Sequence, residues 1–143
     1  MIIKLYKLNV QTRRDKELVD VTAEVERCIA ESGVREGLVY VMTTHTSSGM
    51  LVTEGLECLE RDVVAHLERL APDHGDYWHN RYLDIDGRLG FNAGAHLKGL
   101  LSGYFVYFPI SQGKMVKGGR QVIYFAEFDG PLSREYCVQV LGE

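Results

Sequence analysis

The run Leu38-Val39-Tyr40-Val41-Met42 constrains the fold more than any other stretch: it is continuously apolar, rich in β-branched and aromatic residues, and too short for a typical helix. Residues 38–44 therefore read as a buried strand, and a chain with such a strand must organise a sheet around it. The text then changes to Thr44-His45-Thr46-Ser47-Ser48-Gly49. An imidazole followed by hydroxyls at the end of a buried strand fits a polar pocket held by a rigid support.

Periodicity and punctuation supply the other elements. Residues 2–10 alternate and read as a strand, and residues 21–31 place Val21, Val25, Cys28 and Ile29 on one helix face, stopped by Ser32-Gly33. A short strand is expected at 50–53. Leu56, Leu59, Val63, Leu67 and Leu70 then repeat at helical spacing as far as Pro72. Residues 73–90, rich in Gly, Asp and Asn, read as a long loop, the kind of segment that carries function. Asn92 caps a third helix that reaches about Leu101 and ends at Gly103. Strands at 104–110, 120–128 and 135–141 follow, joined by turns at Ser111-Gln112-Gly113-Lys114 and Asp129-Gly130-Pro131. Helices set among hairpins predict an α+β fold, a mixed and largely antiparallel sheet with about three helices, in one domain over residues 1–143.

Composition removes several function classes. A net charge of -4 without any Lys/Arg cluster gives no field that would attract a polyphosphate backbone, so no nucleic-acid partner is expected. No apolar run approaches the roughly 20 residues that span a bilayer, and Met1-Ile2-Ile3-Lys4-Leu5-Tyr6 alternates like a strand instead of resembling a signal. A cytoplasmic protein without a membrane partner is the expectation. Cys28, Cys58 and Cys137 are odd in number and widely spaced, which predicts buried reduced thiols rather than a disulfide framework or a zinc ribbon.

The five histidines form no local HxxxH or HExxH ligand pair. Three of them occupy places from which a side chain can enter a shared pocket: His45 at the end of the buried strand, His79 in the long loop beside Tyr77 and Trp78, and His96 in the first turns of the third helix. Three imidazoles with an open position suit a catalytic divalent metal, whereas a lone histidine is ordinarily a packed or surface residue. His66 and His74 read as structural. A His45–Ser47 nucleophilic pair is conceivable on an extended strand but lacks the G-x-S-x-G elbow. Ser47, Ser48 and Gly49 read better as a tight anion-holding turn. Gly113-Lys114 and Lys117-Gly118-Gly119-Arg120 match no phosphate-loop pattern and read as hairpin turns. Glu54 and Glu127 are candidate bases or ligands if buried, and otherwise solvated carboxylates.

The stretches "THTSSGMLVTEG", "YWH", "FNAGAHLKGLLSG" and "FPISQGKMVKGGRQVIYFAEFDGPLSR" resemble, in order from about residue 38 to the C-terminus, the YjbQ family of secondary thiamine-phosphate synthase enzymes. The resemblance implies a small α+β homotrimer with a pocket built around histidines, matched here by His45, His79 and His96. It also matches Glu54 to an acidic residue after the His-Thr-Ser strand, Gln121 to a strand glutamine and Arg134 to an arginine after Asp-Gly-Pro. Two departures stand out: Arg120 and Leu132 occupy positions where the family usually has tryptophan and arginine.

The expected function is a transferase of the thiamine-phosphate synthase type, joining a pyrimidine methyl diphosphate to a thiazole phosphate. Glu54 would be catalytic; Ser47, Ser48, Asn92, Arg120, Gln121 and Arg134 would contact substrate; zinc, or magnesium with a diphosphate substrate, would sit on the histidines. Two alternatives are metal-assisted hydrolysis of a phosphorylated or acylated small molecule and a trimeric metabolite-binding module without catalysis.

Overall fold

β3 (Gly37–Thr43) is the middle strand of a five-stranded sheet ordered β1-β8-β3-β5-β6, with β1 spanning Ile2–Gln11, β5 Phe105–Ser111, β6 Lys114–Met115 and β8 Ser133–Gly142. The structure, a computed structural model, describes residues 1–81 and 91–143. A second sheet of three strands, β2-β7-β4, is formed by β2 (Glu17–Asp20), β7 (Gln121–Glu127) and β4 (Ser48–Glu54). The pairings in both sheets are antiparallel. Around them lie α1 (Thr22–Ser32), α2 (Glu57–Leu70), the single turn α3 (Trp78–Arg81) and α4 (Ala93–Ser102).

The expected α+β class holds, but the expected single sheet is divided in two. Consecutive strands β7 and β8 are not a hairpin: β8 pairs with β1 and β3, while β7 pairs with β2 and β4. The division follows from what each strand buries. Val39, Val41, Val138 and Val140 from the larger sheet meet Met50, Ile123 and Phe125 from the smaller, so the main core lies between the sheets, closed at one end by Val25, Cys28 and Ile29 of α1. The opposite face of β7 presents Ala126, and Phe128 follows just past its end; with Leu67 of α2 and Ala95 of α4 they form a second core. β7 is thus apolar on both faces, as a strand between two layers must be.

Several boundaries match the sequence reading. Gly33, at φ 80°, ends α1 in the left-handed conformation expected of a helix-stopping glycine. The short β2 and β6 and the turn α3 are too brief to show periodicity. Leu56 and Leu70 remain 46% and 57% exposed, so the leucine repeat of α2 is wider than the face it buries. Cys28 and Cys137 are buried free thiols as expected; Cys58 is free but exposed, because it lies in the first turn of α2 on the outward side. No helix among the described residues is long and apolar enough to cross a membrane.

Candidate functional site

Two glycines create the site by letting α4 lie backbone-to-backbone on β4. A Cβ on Gly99 would stand 2.8 Å from the Ser48 carbonyl oxygen and 3.1 Å from that of Thr46; one on Gly49 would stand 2.9 Å from the Gly103 carbonyl oxygen. This contact brings His96 over the strand end, where its Nδ1 lies 3.1 Å from the Thr46 carbonyl oxygen. A carbonyl only accepts, so Nδ1 carries the proton and Nε2 keeps the lone pair. His79 of α3 meets His96 edge to face, ring centroids 5.2 Å apart at 88°.

His79 Nε2 lies 2.8 Å from Asn92 Oδ1, and Asn92 Nδ2 donates to Asp129 Oδ2 at 3.1 Å. Asn92 does precede α4, but its side chain makes no capping bond; it joins α4, α3 and the turn after β7 instead. Tyr77, His79, Ala93, His96 and Leu97 line a cavity of about 470 Å³. That volume suits a small molecule. A larger cavity of about 880 Å³ between β2 and α2 contains no histidine, and its Lys16 and Arg61 are paired with Asp73 and Glu57.

His45 is held differently. Its Nε2 accepts the Glu135 amide at 3.0 Å, which makes the ring a neutral support between the strand end and β8. Burial, and after it the nearby Arg134 guanidinium, lower its pKa below the ordinary imidazole value. Among the described residues no three His, Cys, Asp or Glu side chains are gathered where one ion could sit, so the expected trio is not assembled; His79 and His96 are.

The hydroxyls after His45 are likewise engaged within the protein. Ser47 Oγ accepts from Arg134 Nη2 at 2.9 Å, and fully buried Ser48 shares a 2.7 Å hydrogen bond with Thr43. They brace the strand end rather than forming an open anion-holding turn.

Arg134 also makes a two-point pair with Glu127, Nε to Oε2 at 2.8 Å and Nη2 to Oε1 at 2.5 Å. Glu127 is fully buried and additionally accepts from Thr12 Oγ1 and the Asp129 amide. It is therefore neither a solvated carboxylate nor an available base.

The remaining expected residues lie elsewhere. Glu54, Arg120 and Gln121 form a corner with Gly118 and Gly119 around a cavity of about 320 Å³. Glu54 stands at the opposite end of β4 from Ser48, about 20 Å away at the rise of an extended strand. Arg120, 87% exposed, reaches Glu54 at 3.4 Å, and Gln121 Oε1 accepts the Gly118 amide at 2.7 Å. Leu132 is exposed and contributes only its backbone, which bonds Thr12.

Sequence reasoning missed two supporting residues. Asp129 read only as a turn residue. Lys98 drew no reading of its own, yet it is fully buried, donating to the Ala71 carbonyl at 2.7 Å and Asp73 Oδ1 at 2.8 Å. It also lies 2.7 Å from Glu68 Oε2, a charge contact without the direction of a hydrogen bond. Its signal was a lysine placed between Ala95 and Gly99 on the small-residue face of the helix.

The fold and site define a class: a small α+β protein of two antiparallel sheets with a two-histidine pocket where helix meets strand end. The chain belongs to the YjbQ family, since the family described as UPF0047 protein YjbQ-like matches residues 6–143. A UPF0047 protein of Archaeoglobus fulgidus is 38% identical over 94% of this chain and 99% of its own length. Another, from Methanocaldococcus jannaschii, is 33% identical over 100% and 99%. Among solved structures, a YbjQ-like protein of unknown function from Sulfolobus solfataricus superposes with TM-score 0.89 at 30% identity, covering 99% of this chain and 98% of that one. A hypothetical protein of Aeropyrum pernix gives TM-score 0.89 at 31% identity, covering 98% and 99%.

Proposed function

We propose that this chain is an enzyme that holds a divalent metal at His79 and His96 and acts hydrolytically on a small phosphorylated or acylated metabolite. The imidazole pair carries the reading. Two imidazoles bound to one tetrahedral ion, with metal–nitrogen bonds of about 2.0–2.1 Å, have ring centroids about 5 Å apart; here the separation is 5.2 Å. Each ring also commits one nitrogen to a protein oxygen, Asn92 Oδ1 for His79 and the Thr46 carbonyl for His96. Outer partners of this kind accompany ligating histidines and leave His79 Nδ1 and His96 Nε2 as the donors.

Imidazole nitrogen suits zinc better than magnesium. When bound, such an ion would polarise a substrate oxygen and supply an ionised water at neutral pH. Tyr77, Ala93 and Leu97 provide apolar walls for the substrate body.

Transfer of the thiamine-phosphate synthase type has less support from this geometry. It needs cations around a departing diphosphate, and no Lys or Arg is among the described residues lining the histidine cavity. Arg120 and Arg134 are paired with Glu54 and Glu127 instead.

Metal analysis tests the reading. Purified protein should contain zinc or a similar transition metal near one per chain, lost in His79→Ala and in His96→Ala and kept in a folded His45→Ala. Activity on aryl phosphates and esters should fall with the metal. No metal even after reloading, or metal retained in both single variants, would refute the proposal.

Self-association into a homotrimer is part of the same reading. The outer face of the five-stranded sheet leaves Ile3, Leu5, Phe105 and Tyr107 between 55% and 62% exposed. Apolar residues so grouped on one sheet face mark an interface. Light scattering should give three chains per particle, and Phe105→Lys with Tyr107→Lys should give one; a monomeric wild type would contradict it. The unpaired cysteines suit a reducing cytoplasm.

A further inference from the structure

We infer that Asp129 is a positioning residue that, through Asn92, determines which nitrogen of His79 is available to the pocket; this rests on His79 being a working residue of the proposed site. The linkage is a chain of donors and acceptors. A carboxylate oxygen accepts and does not donate, so Asp129 Oδ2, 3.1 Å from Asn92, fixes the amide with Nδ2 toward Asp129. Asn92 Oδ1 must then face His79 Nε2, 2.8 Å away, and an amide oxygen can only accept. His79 is thereby required to carry its proton on Nε2 and to leave Nδ1 with the lone pair.

Asp129 is itself placed by the protein interior. Its amide donates to Glu127 Oε1 at 2.9 Å, and Glu127 is the buried partner of Arg134. The turn after β7 is thus tied to the rigid inter-sheet core, and Asn92 forgoes its capping bond to make the bridge. His96 needs no such relay, because a backbone carbonyl sets its proton directly. The two rings are therefore fixed by independent means, which supplies an internal control.

The experiment uses full-length protein, stripped of metal and labelled with nitrogen-15 at histidine, and reads both ring nitrogens of His79 and His96 above the imidazole titration range. Wild type should show His79 protonated on Nε2 and His96 on Nδ1. In Asp129→Asn the neighbouring amide can donate as well as accept, Asn92 is free to turn over, and the Nδ1-protonated form of His79 should rise while His96 is unchanged. The exchange pair Asn92→Asp with Asp129→Asn restores an acceptor facing His79 and should return the wild-type pattern. Zinc affinity should follow the same order, falling about 10- to 100-fold in Asp129→Asn. Unchanged His79 nitrogens in Asp129→Asn would overturn the inference, as would parallel changes in His79 and His96, which would mean general loosening. Because the nitrogen spectra are recorded without metal, failure of the relay and failure of the metal reading are separate results.

Discussion

Replacing Arg134 with methionine should destabilise the protein by about 3–5 kcal/mol, the range for breaking a buried ion pair and leaving one charge behind. Glu127 would be that charge. It is fully buried, and without Arg134 it keeps only Thr12 Oγ1 and the Asp129 amide as donors. Urea unfolding should show a lower midpoint with little change in slope. Replacing both partners, Arg134→Met with Glu127→Leu, should recover most of the loss, since an apolar pair of similar volume removes the desolvation cost as well as the attraction. The double variant should still have a disturbed histidine pocket, because the Asp129 amide loses its acceptor. If Arg134→Met alone lies within about 1 kcal/mol of wild type, the ion pair is not a structural anchor.

Lys98→Met should cost about 3 kcal/mol, from the loss of charge-assisted hydrogen bonds in a buried place. It should also weaken the metal binding proposed for His79 and His96, because Lys98 ties α4 to residues 71–73, which lead directly into α3 and His79. Burial raises the pKa of Asp73, but hydrogen bonds from Lys16 and Lys98 outweigh it and leave the carboxyl below its usual 3.8. Glu68 is likewise pushed up by burial and carried below 4.5, chiefly by Lys98 and the Asp73 amide. A depressed carboxylate pKa stabilises the fold above the unfolded value and loses that contribution as pH falls through the folded one. Stability of the wild type should therefore decline below about pH 4.5, and Lys98→Met should show a shallower decline over the same interval. Equal acid profiles for the two proteins would exclude Lys98 as the source.

Much of the scaffold was legible along the chain. The buried strand, the helix ended by Gly33 and the helix bounded by Asn92 and Gly103 depend on local patterns, namely apolar period, glycine punctuation and short polar residues at helix ends. His79 and His96 were legible as pocket residues because a loop after one helix and the start of the next were the evident places for side chains to leave the framework. Local pattern could not show that His45 turns its Nε2 to the Glu135 amide, ninety residues away in the chain. Nor could it show that Glu54 and Arg120 pair at the other end of β4.

The sequence by itself determined the α+β class, the main helices and strands and the family, since each depends on residues close together or on motifs in fixed order. Only the tertiary structure decided that β7 and β8 part into different sheets, that Glu127 and Arg134 neutralise each other in the interior, and that a turn aspartate reaches His79 through Asn92. These relations are hydrogen bonds and ion pairs between distant segments. Their donors and acceptors are ordinary polar residues in the sequence, and partners are assigned only when burial removes water as the alternative.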